Sequence, residues 1–349
     1  MIQKILKNVA LIASAASSLA YAQSDIAYSQ NNLPSQHMGK GYVWDNYPIL
    51  FNADLLIGQI QGSPTNYGQR SGFLQNRIGD TFDFPNGTYV GFRFGLGIGL
   101  RNDVNVSIQW TRISGDKHED RSFAQSTTTI TTLLQFGSLP TNEAVKLTAR
   151  QDQKYQTLDL LAQTAAWMLN SNIRFQPFGG IRYLEYTRDL DSKMIETAQD
   201  DTFSETNSHF RIRSTGVLIG TDLKYIFSNH FFFFSNLTAG ILSGYHKRSY
   251  NQKIVAAGQV TFSGKRQERY RLSFDPMYEL RLGFAFETLI NKQWLLSIHI
   301  AYELASMIQT SAAAINPYGS LTIMSPAFPL RTNDVVKTQF FLVGFTVGF

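Results

Sequence analysis

The strongest constraint in this chain is an alternation of large apolar and small or polar side chains, sustained for long stretches. Met277–Thr288 reads MYELRLGFAFET. Tyr278, Leu280, Leu282, Phe284 and Phe286 share one parity, and Glu279, Arg281, Gly283, Ala285 and Glu287 share the other. Trp294–Glu303 sets Trp294, Leu296, Ile298, Ile300 and Tyr302 against Ser297, His299 and Glu303. Thr88–Leu100 sets Val90, Phe92, Phe94, Leu96 and Ile98 against Gly91, Arg93, Gly95, Gly97 and Gly99. A period of two is the mark of a strand, whose successive side chains point to opposite faces. Ordinary strands have about five or six residues. A tilted strand crossing a bilayer needs roughly 9–11.

The two faces differ in chemistry. One is uniformly large and apolar, while the other carries charges among glycine and alanine. A soluble sandwich would bury the apolar face. A membrane barrel turns it to lipid and lines its lumen with the polar face. Composition favours the barrel. Charged residues make up 16% of the 349 and aromatics 13%, against about 25% charged in an average soluble domain. Mean hydropathy is only −0.15, too low for a bundle of membrane helices. The most apolar later stretch, 295–314, is interrupted by His299, Glu303 and Gln309.

Residues 1–22 read as a cleavable secretory signal peptide: Lys4 and Lys7, an apolar run through Leu19, then Ala20-Tyr21-Ala22 before Gln23. Residues 23–46 are expected as a periplasmic N-terminal segment or a lumen plug, and 47–349 as the barrel. The net charge of +5, two units of it from Lys4 and Lys7, is too mild to point to nucleic acid. The chain has no cysteine, which excludes disulfides, Cys-zinc sites and Cys nucleophiles.

Four similar short turns punctuate the pattern: Leu100–Val104, Leu169–Ile173, Phe227–Phe231 and Ile290–Trp294. Each holds three polar residues, at least one of them Asn, which tolerates the left-handed conformations of tight hairpins. Their even spacing predicts an all-β, transmembrane antiparallel β-barrel of about ten strands. The expected strands lie near 48–60, 88–100, 104–114, 154–168, 173–188, 210–227, 231–246, 272–289, 294–305 and 336–349. Thr127–Phe136 and Ile254–Thr261 have strand-like composition and would raise the count to twelve. An even count puts both termini on the short-turn, periplasmic side.

No catalytic or cofactor signature is present. The glycines of Gly95–Leu100 alternate along a strand and do not open a helix, so they form no nucleotide loop. The charged lumen set is Asp54, Arg93, Asp159, Arg182, Asp222, Lys224, Glu279, Arg281, Glu287, His299 and Glu303. Two readings stand open: a salt-bridge network that fills the lumen, or a narrow mixed-charge conduit. Small residues at Gly95, Gly97, Gly99, Gly283, Ala285, Gly344, Thr346 and Gly348 leave space near the periplasmic end.

Two long connections are charged. Asp189–Glu205 carries six acidic residues and Lys193, while Lys247, Arg248, Lys253, Lys265, Arg266, Arg269 and Arg271 face a single opposing Glu268. They are expected as extracellular loops attracting each other across the barrel mouth, or the basic one as a patch for lipopolysaccharide phosphates or a host polyanion.

The last strand carries Phe341, Val343, Phe345, Val347 and Phe349 on one parity, facing lipid. A terminal aromatic after alternating apolar residues resembles the signal read by the barrel assembly machinery. The same strand is expected to close the barrel against Phe51–Ile57.

Several segments resemble the Legionella-type major outer membrane protein family, with its chlamydial relatives. They are GYVWDNYPILFNADLLIGQ from Gly41, YVGFRFGLGIGL and VNVSIQWTRI from Tyr89, FGGIRYLEYTRDL from Phe178, and GVLIGTDLKYIFSNHFFFFSNLTAGILSGYHK from Gly216. The resemblance implies an abundant, surface-exposed, porin-like barrel of the bacterial outer membrane. It also implies cysteine cross-linking, for which this chain has no cysteine.

The expected role is therefore structural or porin-like, with passive, narrow passage of ions or small solutes and no enzyme activity, cofactor or metal. One alternative is an adhesin whose loops contact a host surface receptor. Another is an outer-membrane protease, for which Asp116, His118, Glu119 and Asp120 form the only nearby cluster.

Overall fold

The computed structural model describes residues 49–62, 66–72, 78–83, 87–100, 104–122, 128–132, 146–195, 202–228, 230–290, 294–308 and 335–349. The segments expected as signal peptide and as N-terminal plug lie outside the described residues.

The described chain forms β1 (Ile49–Gln61), β2 (Asn66–Gly72), β3 (Ile78–Asp83), β4 (Tyr89–Gly99), β5 (Asn105–Ser122), β6 (Thr128–Thr132) and β7 (Lys146–Gln163). It continues through β8 (Trp167–Met168), β9 (Ile173–Ile195), β10 (Phe203–Ile226), β11 (Phe231–Ala256), β12 (Gln259–Ile290), β13 (Trp294–Ile308) and β14 (Val335–Gly348). Ten long strands pair antiparallel in the order β1-β4-β5-β7-β9-β10-β11-β12-β13-β14. The ring closes between β14 and β1, where Phe51 opposes Val347 and Ile57 opposes Phe341. Every backbone donor and acceptor of a central strand then finds a ladder partner, the only way a sheet can sit in lipid.

The count of twelve is not adopted. Within Thr127–Phe136 only β6 forms a described strand. It pairs with β2, and β2 with β3, in a separate three-stranded sheet. Ile254–Thr261 is the tip of the β11–β12 hairpin, turned at Ala257 and Gly258, both at positive φ, the backbone of a two-residue hairpin turn. β8 is two residues long and pairs only with β9.

Strand lengths depart from the expected bounds mainly on the long-hairpin side, although β7 also stops at Gln163, short of the expected residue 168. β9 to β12 run for 23, 24, 26 and 32 residues, two to three times the length a bilayer needs. The described parts of the segments expected as charged loops, residues 189–195, 203–205 and 247–271, are therefore continuations of the wall and its hairpin. Polar side chains hide their alternation on both faces: inward and buried are Leu190, Met194, Ile212, Tyr250 and Ile254, and among them also Arg188, Ser192, Thr206, Arg248 and Gln252. The acidic and basic stretches do not face each other across the mouth. They lie side by side, with Glu205 of β10 registered against Lys193 of β9 and Lys253 of β11.

The outward face carries the apolar band. Leu55, Phe94, Ile108, Leu158, Val217, Ile241, Phe284, Ile300 and Phe345 are all exposed. In the membrane this surface is solvated by lipid, not water.

Candidate functional site

The inward positions of the wall bring the eleven predicted charges together. Asp54 stands on β1, Arg93 on β4, Asp159 on β7, Arg182 on β9, and Asp222 and Lys224 on β10. Glu279, Arg281 and Glu287 stand on β12, and His299 and Glu303 on β13. Seven are buried, and Asp222, Lys224, Arg281 and His299 are half-buried.

Eight of them form one continuous network. Arg182 donates two bonds of 2.6 Å to Asp159 and one of 2.9 Å to Glu279. Arg281 lies 3.6 Å from Glu279 and donates a 2.8 Å bond to Glu303. Glu303 also accepts two bonds of 2.8 Å from Arg93. Arg93 sits 3.7 Å from Asp54, which is 2.9 Å from His299 Nε2. The chain of charge thus runs from β7 to β12 and on to β4 and β1, across the barrel interior. Removing the carboxylates and guanidiniums from water costs several kcal/mol each, so they are tolerated because each of them meets opposite charge. His299 and Glu303 engage different partners and do not form an acid–base couple.

The other three charges lie nearer the short-turn end. Asp222 accepts from Asn236 at 2.5 Å and from Gln163 at 3.0 Å. Lys224 meets Glu287 at 3.4 Å, and its ammonium stands 4.4 Å from the centre of the Phe232 ring. Around them is a cavity of about 190 Å³, bounded by Asn52, Gly97, Gln109, Gln176, Asn236 and Thr346 among others. It is roomy and polar enough to hold ordered water, for which roughly 10–15 Å³ is the threshold.

On the long-hairpin side of the network the interior is solid. Leu56, Ile60, Tyr89, Ile113, Tyr155, Leu184, Tyr186, Phe210, Ile212, Leu242, Met277, Ala301, Met307, Val336, Phe340 and Leu342 form a single buried cluster. All ten barrel strands contribute to it. Leu56, Tyr186, Ile212, Leu242 and Leu342 have no exposed surface at all. Several polar groups threaded through this core bond one another. Gln151 donates to the Tyr89 hydroxyl at 3.2 Å and accepts from Arg188 at 2.7 Å. Tyr186 donates to Gln153 at 2.9 Å, and His246 meets Asp275 at 2.8 Å. Sequence reading missed this cluster. Its signal was the inward parity of Tyr186, Arg188 and Leu190, continuing beyond the length that a membrane strand requires.

Three of the four residues of the protease cluster point outward, and Glu119 lies on the opposite parity. Asp116, His118 and Asp120 share the parity of exposed Trp110 on β5. Asp116 is held by Arg150 at 2.8 and 3.1 Å, Asp120 by His118 at 3.1 Å, and Glu119 by Arg121 at 2.6 Å. The hydrogen bond and charge of Asp116 push the Arg150 guanidinium up. Nearby, burial together with Asp189, Glu205 and Asp116 pushes the Asp191 carboxyl up, against the opposing pull of Arg150. Among the described residues no cluster of His, Asp or Glu could hold a metal ion.

The predicted basic set divides. Arg248 turns inward, with its guanidinium 4.9 Å from the centre of the buried Phe210 ring, and so leaves the surface patch. Lys247, Lys253, Lys265 and Arg269 stand on the outward side or the hairpin tip. Of Arg266 and Arg271 only the backbone is described, opposite Tyr250 and Tyr245. On β14, Phe341, Val343 and Phe345 face outward and are exposed. Phe345 packs 6.2 Å from Phe51, and Phe349 packs 5.7 Å from Trp294.

A closed antiparallel ring with an apolar outer belt and charges inside defines a bacterial outer-membrane β-barrel protein. The family model described as Legionella pneumophila major outer membrane protein precursor matches residues 51–349, and the chain belongs to that family. No curated protein sequence matches it. Among solved structures it is similar to the outer membrane protease OmpT from Escherichia coli, with 10% identity and a TM-score of 0.38 over 86% of this chain and 96% of that one. The translocator domain of autotransporter NalP from Neisseria meningitidis has 9% identity and a TM-score of 0.32 over 97% of both chains. The Pseudomonas putida toluene transporter TodX has 10% identity and a TM-score of 0.29 over 86% of this chain and 90% of that one.

Proposed function

We propose that this protein is a structural component of the outer membrane whose barrel is sealed to ions and solutes, with no enzymatic role. The observation that carries this reading is the single apolar cluster fed by all ten strands. A conducting lumen needs a wetted path, and buried side chains contributed by all ten strands speak against one. The ion network on one side of the cluster adds rigidity: each charge is fixed by neighbours on other strands and cannot swing aside without abandoning a buried partner. Of the two readings open from the sequence, the geometry favours the filled lumen over the conduit.

The partners of such a protein are outer-membrane lipid and the barrel assembly machinery, which would read the alternating aromatic strand β14. The walls of β9 to β12 would stand above the membrane as a collar exposed at the cell surface. Export through a cleaved signal peptide belongs to the same reading, and mature protein beginning at Gln23 would support it.

Planar-bilayer recording tests the proposal. Full-length protein that shows heat-modifiable migration, and so is a closed barrel, should give no steady single-channel steps. Reproducible steps from that material would overturn the sealed-barrel reading in favour of a porin.

A further inference from the structure

The outward face of β9 to β12 changes character within one row of residues. Tyr183, Thr215, Ser243 and Phe274 are registered side by side across the four strands. Tyr183 and Phe274 are exposed, in the position of the aromatic girdle that marks a barrel's membrane boundary. One outward row further from the short turns come Glu185, Arg213 and Tyr245. The next holds Thr187, Arg211, Lys247 and Arg269.

Three cations therefore occupy directly registered positions on three adjacent strands, with a fourth, Arg213, one outward step below. Neighbouring strands are about 4.8 Å apart, and an outward step is about 6.8 Å. Like charges directly opposite each other destabilise a sheet, so this arrangement costs stability unless an anion sits over it. Among the described residues one carboxylate, Glu185, lies against these cations. It binds Arg211 and Arg213 on one oxygen and Gln156 on the other. Glu185 is itself mostly covered, while the two guanidiniums it holds remain a third to a half exposed. Among the described residues no carboxylate lies within ion-pair distance of Lys247 or Arg269. The result is a preorganised pair of guanidinium forks beside two uncompensated cations, at the height where lipid headgroups begin.

We propose that Arg211, Arg213, Lys247 and Arg269 form a binding site for the phosphate groups of a diphosphorylated glycolipid of the outer leaflet, whose acyl chains lie along the apolar belt below. Guanidinium forks match phosphate oxygens with two parallel hydrogen bonds. Ile241 and Val217, exposed immediately below, offer the acyl chains a surface. The site differs from the basic segment visible in sequence: it recruits two arginines from β10 and loses Arg248 to the barrel interior. It rests on the membrane placement of the barrel and is independent of whether the lumen conducts.

The test uses the full-length folded protein in detergent, with lipid retention read by native mass spectrometry. Diphosphoryl lipid A should be retained at least tenfold more tightly than the same acylated sugar lacking both phosphates. Inorganic phosphate at millimolar concentration should displace it only weakly. The variant R211Q/R213Q/K247Q/R269Q should lose at least tenfold in retention, whereas K253Q/K265Q, altered near the hairpin tip, should retain the lipid like the parent. Equal retention of the phosphorylated and dephosphorylated lipids would overturn the proposal, and that comparison needs only the parent protein. Full displacement by inorganic phosphate would overturn it in favour of a free-anion site. Undiminished retention by the folded quadruple variant would overturn it as well.

Discussion

Arg93 on β4 and Glu303 on β13 are joined by two parallel hydrogen bonds of 2.8 Å, although 210 residues separate them in the chain. The bond spans two intervening strands, β14 and β1, and ties the closing seam of the barrel from inside. Arg281 adds a third bond to the same carboxylate at 2.8 Å. Glu303→Gln would leave the buried Arg93 and the half-buried Arg281 guanidiniums facing a neutral amide. Breaking one partner of a buried pair typically costs about 3–5 kcal/mol, and urea unfolding in detergent should show a loss of that order. Replacing both members, Arg93→Met with Glu303→Leu, should cost less than the single change, because the fully buried Arg93 guanidinium is no longer left without its carboxylate, while Arg281 keeps Glu279 and Asp54 keeps His299. A double variant as unstable as the single one would contradict this account.

The packed interior makes a second prediction. Tyr186 has no exposed surface and contacts Phe210 edge to face, with ring centres 6.0 Å apart. Tyr186→Ala removes that packing and the hydrogen bond to Gln153. Truncating a buried aromatic ring costs about 3–5 kcal/mol, so the unfolding midpoint should fall substantially. A change under about 1 kcal/mol would mean that the interior is loosely filled.

The inward face of the barrel constrains its glycines unequally. A Cβ at Gly344 would lie 2.1 Å from Asp54 Oδ1 and 2.7 Å from His299 Nε2, displacing that hydrogen bond. At Gly97 the nearest atoms are 3.6 Å away, an ordinary contact. Gly344→Ala should therefore lower the fraction of heat-modifiable, closed barrel, with an overpacking cost of about 1–3 kcal/mol. Gly97→Ala should be nearly neutral. Equal behaviour of the two variants would show that the Asp54–His299 contact does not set the seam.

The acidic end of β9 supplies a pH dependence. The folded chain raises the Asp191 carboxyl through burial and the neighbouring Asp189, Glu205 and Asp116. The stability linked to its proton is complete below the unfolded pKa and lost as pH rises through the folded one. Asp191→Asn keeps the neutral state at every pH. It should protect the β9–β10 hairpin by a fraction of about 1 kcal/mol at pH 7, given the solvent screening of an exposed site. The difference from the parent should shrink as pH falls through the carboxylate range. Hydrogen exchange of the hairpin amides at neutral and acid pH measures it. Faster exchange in the variant at pH 7 would refute the sign.

Much of the fold was legible because alternation is a local property. The outward parity of Phe92, Phe94, Leu96 and Ile98, and the inward parity of Glu279, Arg281 and Glu287, follow from the two-residue period of any strand. The short turns, recurring between apolar strand ends, were enough to count ten strands. The pairing of Phe51–Ile57 with Phe341–Val347 followed from the requirement that a barrel leave no edge. Strand ends were less legible. Beyond the membrane the outward residues need not be apolar, so residues 189–195, 203–205 and 247–271 resemble loops while continuing the wall.

By itself, then, the sequence determined the period, the faces and the count, and with them a barrel that presents an apolar belt to lipid. Register and closure decided what those inward faces meet. Eight charges from six strands became one network because the ring placed Asp159 and Arg182 within reach of Glu279, and Arg93 within reach of Glu303. Tyr186, Phe210, Leu242 and Phe340 became a core because strands distant in sequence converge on one axis. Whether a lumen is a passage or a packed interior depends on side chains meeting across a diameter. That distance is set by ring closure, and no single strand carries it.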